Sequence, residues 1–431
     1  MSAPGRPKRE SSLGEEVAQR PEGRPSGAPN RPKRESSPGE EVAKRPEGRP
    51  SGAPLDQEAQ DSHWMAQALA QADTVMNLTT PNPRVGCVIV RHGECLGAGA
   101  TQQAGGPHAE IMALRDAKAR GHDLAGSTFY VTLEPCSHYG RTPPCVDAVI
   151  AARPARVVVA LTDPNPQVGG RGLKRLREAG IEVVQGVASE AALAQNPGFV
   201  GRMTRGTPWL WLKLAGSIDG RSALHNGVSQ WITGAAARQD GHLWRARACA
   251  VLTGIGTVLA DDPQLTPRQG RILRLPRKIV LDSRLRLPVD ARLLDGTPTW
   301  VFTTERAPPR DAELAHRHAE VVRLPAGNDG RLDLSAVMRW LGEHDINEIH
   351  AEAGPRLSGA LLQAGVVDEL LVYQAPLLLG DAQPMAQLPA RDTLPEGAAF
   401  EFIDVGQVGA DLRLRARHAE RWSALRRAIA V

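Results

Sequence analysis

His108-Ala109-Glu110, followed downstream by Thr132–Cys145 (TLEPCSHYGRTPPC), is the stretch that decides how this chain folds. It offers one imidazole (His108) and two thiols (Cys136 and Cys145), the donor set of a tetrahedral Zn²⁺ with its fourth position open for water. Glu110 stands two residues from the histidine and is not needed as a ligand. It is read as the group that takes a proton from water and returns it to departing ammonia, the division of labour in a zinc deaminase. The usual signature closes with Cys-x-x-Cys. Here the second cysteine comes nine positions after the first, and a proline precedes each.

Working outward, the pattern is alternating α/β. His63–Val75 reads as an amphipathic helix, Val85–Val90 as a buried strand, and His108–Ala119 as a helix carrying His108 and Glu110 in its first turn. Thr128–Leu133 reads as a strand ending at the Glu134-Pro135-Cys136 loop, with helix Cys145–Ala152 and strand Arg156–Leu161 beyond it. Gly172–Val184 reads as helix then strand. This places both halves of the zinc site at element ends. A composition shift near Asn196–Thr207 marks a boundary, after which strands are expected at Trp209–Ala215, Ala250–Gly254, Lys278–Asp282, Thr299–Phe302 and Ile349–Glu352. Helices are expected at Ala235–Ala248 and Leu334–Leu341, and Glu369–Tyr373 with Asp411–Arg417 predicts an antiparallel edge.

The ends and the composition narrow the class. Arg6–Asn30 (RPKRESSLGEEVAQRPEGRPSGAPN) is repeated almost unchanged as Arg31–Pro54. Without aromatic residues or an apolar face, residues 1–54 cannot offset their ordering entropy and are expected to be disordered. A formal charge of +4 over 431 residues does not argue for nucleic acid. There is no run of about 18 apolar residues to span a membrane, and no apolar core of a secretory signal. Five cysteines are too few and too irregular for a disulfide framework. Cys87, Cys95 and Cys249 read as core residues in strand-like contexts, and zinc thiolates require a reducing setting, so the expected location is cytoplasmic.

Pro81-Asn82-Pro83-Arg84-Val85-Gly86, the His-Ala-Glu and above all TLEPCSHYGRTPPC resemble the deaminase half of the bifunctional riboflavin-biosynthesis deaminase/reductase family. The resemblance runs from about residue 60 to 417. It implies a cytidine-deaminase-like zinc domain at 55–204 and a dihydrofolate-reductase-like α/β domain at 205–431. It also implies a phosphoribosylated diaminopyrimidinone as substrate, Zn²⁺ and NADPH as cofactors, and a homo-oligomer. Asn82 would bond the pyrimidine edge, and His138 and Arg141 the ribose phosphate. Thr101 and Gly106 depart from the family, which usually has a histidine and an acidic residue there.

The second half has no Gly-x-Gly-x-x-Gly: Gly254-Ile255-Gly256 comes closest, but Leu259 occupies the third position. By resemblance to the reductase half, Ala215, Trp231, Thr257, Asp261 and Ser283 would touch the cofactor, together with the turn Gly354, Pro355, Arg356, Leu357, Ser358, Gly359 and Ala360. Ser229, Arg245, Leu265, Arg268 and Glu352 would hold the substrate, and Lys213 would serve as general acid or electrostatic partner during hydride delivery. Singly, some have plainer readings: Trp231 as core, Arg245 as a helix surface charge, Asp261-Asp262-Pro263 as a turn. Two rival functions also stand at this point. A nucleic-acid-editing deaminase would share His-Ala-Glu and Pro-Cys, but typically with Cys-x-x-Cys and without a reductase domain. A fusion with one inactive half is the other.

Overall fold

Two large β-sheets and one two-stranded ribbon organise the described residues, which in this computed structural model are 56–138, 143–166 and 168–429. The duplicated tail and Arg141 lie outside them. The first half comprises α1 (Gln57–Asp73), β1 (Gly86–Arg91), β2 (Glu94–Ala100), α2 (Ala109–Ala119), β3 (Thr128–Val131), α3 (Cys145–Ala151), β4 (Arg156–Val159), α4 (Arg171–Glu178), β5 (Glu182–Gln185), α5 (Ser189–Gln195) and α6 (Pro197–Arg205). Its five strands run in the order β2-β1-β3-β4-β5, antiparallel around β1 and parallel from β3 onward. Strands β3 and β4 are almost wholly apolar (TFYV, RVVV), as expected where helices cover both faces. Asp56 starts α1 by accepting the N–H of Ala59. Helix α1 then lies so close to β1 that a Cβ on Gly86 would sit 1.8 Å from the Ala68 carbonyl oxygen.

The second half comprises β6 (Trp209–Ser217), β7 (Arg221–Ala223), α7 (Ala235–Arg247), β8 (Ala250–Gly254), α8 (Ile255–Asp261), β9 (Arg277–Leu281), β10 (Thr299–Thr304), α9 (Asp311–Ala315), β11 (Ala319–Leu324), α10 (Leu334–Glu343) and β12 (Glu348–Glu352). It continues with α11 (Pro355–Gln363), β13 (Glu369–Ala375), β14 (Gln383–Pro384), β15 (Phe400–Val408), β16 (Asp411–His418) and α12 (Ala419–Ile429). Nine strands form one sheet in the order β11-β10-β9-β8-β12-β6-β13-β16-β15. All pairings from β11 to β13 are parallel, and β16 and β15 add the antiparallel edge.

Residues 196–207, expected as a boundary, carry helix α6, which Pro197 starts and Gly206 stops at φ 74°. One difference from the sequence reading has a local cause. Helix α12 was not anticipated, and it folds back: Trp422 stacks edge-on against Trp209, and Ile429 reaches the core of the first sheet. Leu193, Val200, Trp209, Trp211 and Leu425 form an apolar cluster drawn from both halves.

Candidate active sites

The first site is built where α2, β3 and α3 meet. His108 caps α2 from an extended backbone conformation, so its ring leaves the helix axis while Glu110 stays in the first turn. Cys136 lies on the loop after β3, and Cys145 opens α3. The His108 Nδ1 is 3.6 Å from Cys136 Sγ and 3.3 Å from Cys145 Sγ, and the three donor atoms lie within 4.8 Å of one another. Bonds of about 2.0–2.1 Å to nitrogen and 2.3 Å to sulfur would reach all three from one central point, so the donor set fits Zn²⁺. Backbone geometry already favours an anionic sulfur here, since the Cys145 N–H donates to Cys136 Sγ at 3.3 Å. A hydrogen bond from the Cys145 thiol, joined by His108, brings Cys136 down to about 4 despite burial. Burial, reinforced by the Cys136 charge, pushes Glu110 up to about 7, near neutral pH, where a proton carrier works best.

Glu134 sets the approach of Cys136. Its buried carboxylate accepts the N–H groups of Asp163, Gly170, Gly172 and Leu173 at 3.1, 2.9, 2.8 and 3.3 Å, tying the loop before Cys136 to the start of α4. Asp163, pushed up to about 6 by burial, lies beside it at the end of β4. The turn-forming Asp163-Pro164-Asn165-Pro166 after an apolar strand was the available signal for this corner. His138 is exposed on the zinc loop. Asn82 is half-buried, four residues before β1, and its side-chain amide has no hydrogen-bond partner among the described residues. Gly106 closes a tight turn, its N–H 2.7 Å from the Gln103 carbonyl, and a Cβ there would meet that same oxygen at 2.9 Å. An acidic side chain at this position would therefore require the turn to shift.

The second site is a cleft of about 2440 Å³ at the carboxyl ends of β6, β8, β9 and β12. That is where open α/β sheets bind ligands, and the volume exceeds the roughly 300–1,000 Å³ of an ordinary small-molecule pocket. Lys213, Ala215, Ser229, Trp231, Arg245, Thr257, Asp261, Leu265, Arg268, Ser283 and Glu352 all line it, as do Gly354, Pro355, Arg356, Leu357 and Ala360. Ser358 and Gly359 do not: the Ser358 hydroxyl donates to the Ala353 carbonyl, and a Cβ on Gly359 would lie 1.9 Å from the Gln387 carbonyl. Helix periodicity turns those two toward the protein interior.

Arg245 and Glu352 grip each other through a two-pronged pair, one arm 2.8 Å, with both side chains 16% exposed. Burial would raise the Glu352 carboxyl, but the Arg245 charge and hydrogen bonds outweigh it and hold it well below its usual range. Lys213 is the register partner of Glu352 across β6 and β12. Burial lowers its pKa, against the attraction of Glu352. Trp231 is 68% exposed, with the Arg238 guanidinium 4.3 Å from its ring centroid, so it is a cleft wall and not core. The start of α11 at Gly354 carries no side-chain cap, and Thr257 Oγ1 accepts the Gly354 N–H at 3.1 Å. An uncapped helix start and the cleft-lining Arg284, Arg286, Arg292 and Arg331 fit a polyphosphate dinucleotide. These arginines, and His242 beside Arg245, were not singled out in the sequence; scattered surface arginines carry no spacing signal.

Comparison with known proteins joins the two sites. Residues 58–161 match the cytidine and deoxycytidylate deaminase zinc-binding region, and residues 208–414 match the RibD C-terminal domain. The riboflavin biosynthesis protein RibD of Escherichia coli is 48% identical over 82% of this chain and 98% of its own length. That of Haemophilus influenzae is 42% identical over 84% and 98%. Among solved structures, RibD of Acinetobacter baumannii superposes with a TM-score of 0.76 at 41% identity, covering 84% of this chain and 99% of that one. The deaminase/reductase of Thermotoga maritima gives 0.74 at 32% identity with the same coverage. With a zinc-binding deaminase half and a reductase half in one continuous match, the chain belongs to the RibD family of bifunctional deaminase/reductases of riboflavin biosynthesis.

Proposed function

We propose that the first site deaminates 2,5-diamino-6-(5-phosphoribosylamino)pyrimidin-4(3H)-one hydrolytically, and that the second reduces the ribosyl chain of the resulting 5-aminouracil nucleotide to ribityl with NADPH. The carrying observation is the convergence of His108, Cys136 and Cys145, with the buried Glu110 carboxyl beside them in the first turn of α2. Zinc held by the three donors would lower the pKa of a water and polarise it for attack on the amidine-like carbon. Glu110 accepts the water proton and delivers it to the leaving nitrogen, a role suited to a carboxyl near 7. Asn82 bonds the pyrimidine edge, and His138 with Arg141 holds the phosphate.

In the cleft, the α11 start and the wall formed by Trp231, Thr257, Asp261 and Ser283 hold the cofactor. NADPH supplies the hydride. Arg245, Arg268, Ser229, Leu265 and Glu352 fix the nucleotide, and Lys213 acts as general acid or electrostatic partner beside the ribose C1′. Residues 55–204 and 205–431 serve as the two catalytic domains. No described helix is long and apolar enough to cross a membrane. A cytoplasmic homo-oligomer is the form proposed: Phe402, Val405 and Leu412 expose apolar surface on the sheet edge formed by β15 and β16, which favours self-association.

The test is to incubate zinc-loaded protein with the diaminopyrimidinone nucleotide, first without and then with NADPH. Ammonia release that needs no NADPH, followed by oxidation when NADPH is added, is expected. Neither signal would sink the reading, and ammonia alone would restrict it to the first half.

A further inference from the structure

Segment Thr79–Arg84, which carries Asn82, is anchored by residues that come far later in the chain. The Thr80 hydroxyl lies 2.7 Å from Cys249 Sγ, and the Pro81 carbonyl accepts from Asn347 Nδ2 at 2.8 Å. The backbone of Arg84 is clasped by Asn196, whose Oδ1 accepts the Arg84 N–H and whose Nδ2 donates to the Arg84 carbonyl, each at 2.8 Å. The Arg84 guanidinium grips Glu348, the first residue of β12, through both terminal nitrogens at 2.7 and 2.6 Å. Its remaining N–H groups reach the carbonyls of Met76, Gln195 and Arg247 at 2.6, 2.9 and 3.2 Å. The two side chains are 7% and 0% exposed.

A buried ion pair of this kind returns little net stability, because removing both charges from water costs about as much as their attraction gains. What a saturated, two-pronged pair supplies is geometry, fixed to a fraction of a bond length. Among the polar side chains of Thr79–Arg84, the one without a hydrogen bond to a described residue is the Asn82 amide. It is held in place by its backbone while its own donors and acceptor stay available to a ligand.

We propose that Arg84 and Glu348 are positioning residues: a clamp through which β12 of the reductase half holds the Asn82 segment in the geometry that binds the pyrimidine. Substrate affinity at the deaminase site then depends on a side chain of the other half. This rests on the reading of Asn82 as a pyrimidine contact.

The test uses the full chain, zinc-loaded, as Glu348→Gln, Arg84→Lys, Asn82→Ala and the double variant N82A/E348Q. Glu348→Gln keeps the shape and one acceptor, and Arg84→Lys keeps the charge without the fork. Each is expected to raise the deaminase KM by up to about tenfold, the worth of one amide hydrogen bond, with kcat, zinc content and both reductase constants unchanged. The double variant is expected to be no worse than Asn82→Ala alone, because both changes remove the same contact. An unchanged KM in E348Q and R84K beside a raised one in N82A overturns the clamp and leaves the Asn82 reading standing. A wild-type KM in N82A overturns that reading itself. Multiplying effects in the double variant, or parallel loss of zinc, melting temperature and reductase activity, would make the pair merely structural and overturn the clamp.

Discussion

Glu110 and His350 show how a buried titratable group can be either reagent or burden. Glu110 sits at a converging donor set with its carboxyl near 7. Glu110→Gln is therefore expected to lower the deaminase kcat by about 10²–10⁴-fold, the usual worth of general acid–base catalysis, with zinc content and NADPH oxidation untouched. Metal analysis alongside the two separate assays checks this. His350, on the strand between Glu348 and Glu352, is fully buried, its Nε2 3.3 Å from Glu352 Oε1. Burial lowers its pKa, outweighing the pull of Glu352. An unfolded imidazole takes its proton near pH 6.5 while the folded one resists, so stability is lost as pH falls through that value. Wild type is expected to lose melting temperature relative to His350→Leu between about pH 7 and pH 5, and parallel curves would refute this. His108, Glu110, Cys136 and Cys145 were legible as one cluster because metal chemistry restricts residue type and spacing together. His350, Glu134 and Arg84 were not, since each acts through a partner that only the folded chain brings near.

At the scale of elements, the close contact at Gly86 is the sharpest constraint. Any side chain there collides with the Ala68 carbonyl, which belongs to the helix backbone and cannot swing aside. Gly86→Ala is expected to cost about 1–3 kcal/mol as α1 is pushed off the sheet, measurable as a lower urea midpoint. The long apolar strands were readable because burial on both faces leaves a continuous run, as in Trp209–Ser217. Strand β2 was missed since ECLGAGA has little apolar bulk: its glycines let α2 approach, with a Cβ on Gly99 only 2.5 Å from Met112 Cβ. Strand β15 escaped for the opposite reason, lying at an exposed edge where no face is required to be apolar. His108 begins its helix one residue later than the pattern predicts, because it is the cap.

Across the whole molecule the two sheets share structure that neither owns. The cluster of Leu193, Val200, Trp209, Trp211 and Leu425 and the Arg84–Glu348 pair tie the halves together through buried groups. Calorimetry on the zinc-loaded protein is expected to give one cooperative transition, and two well-separated ones would show that the shared cluster does not couple the halves. Helix α12 adds a consequence of timing. Its Ile429 completes the core of the sheet made first, and Arg426 pairs with Glu190 there. The ribosome therefore releases the deaminase half about two hundred residues before the last piece of its apolar wall exists, at synthesis rates of about 5–20 residues per second. For those seconds the nascent enzyme carries an open seam, and a stop codon that removes α12 would injure the domain translated first.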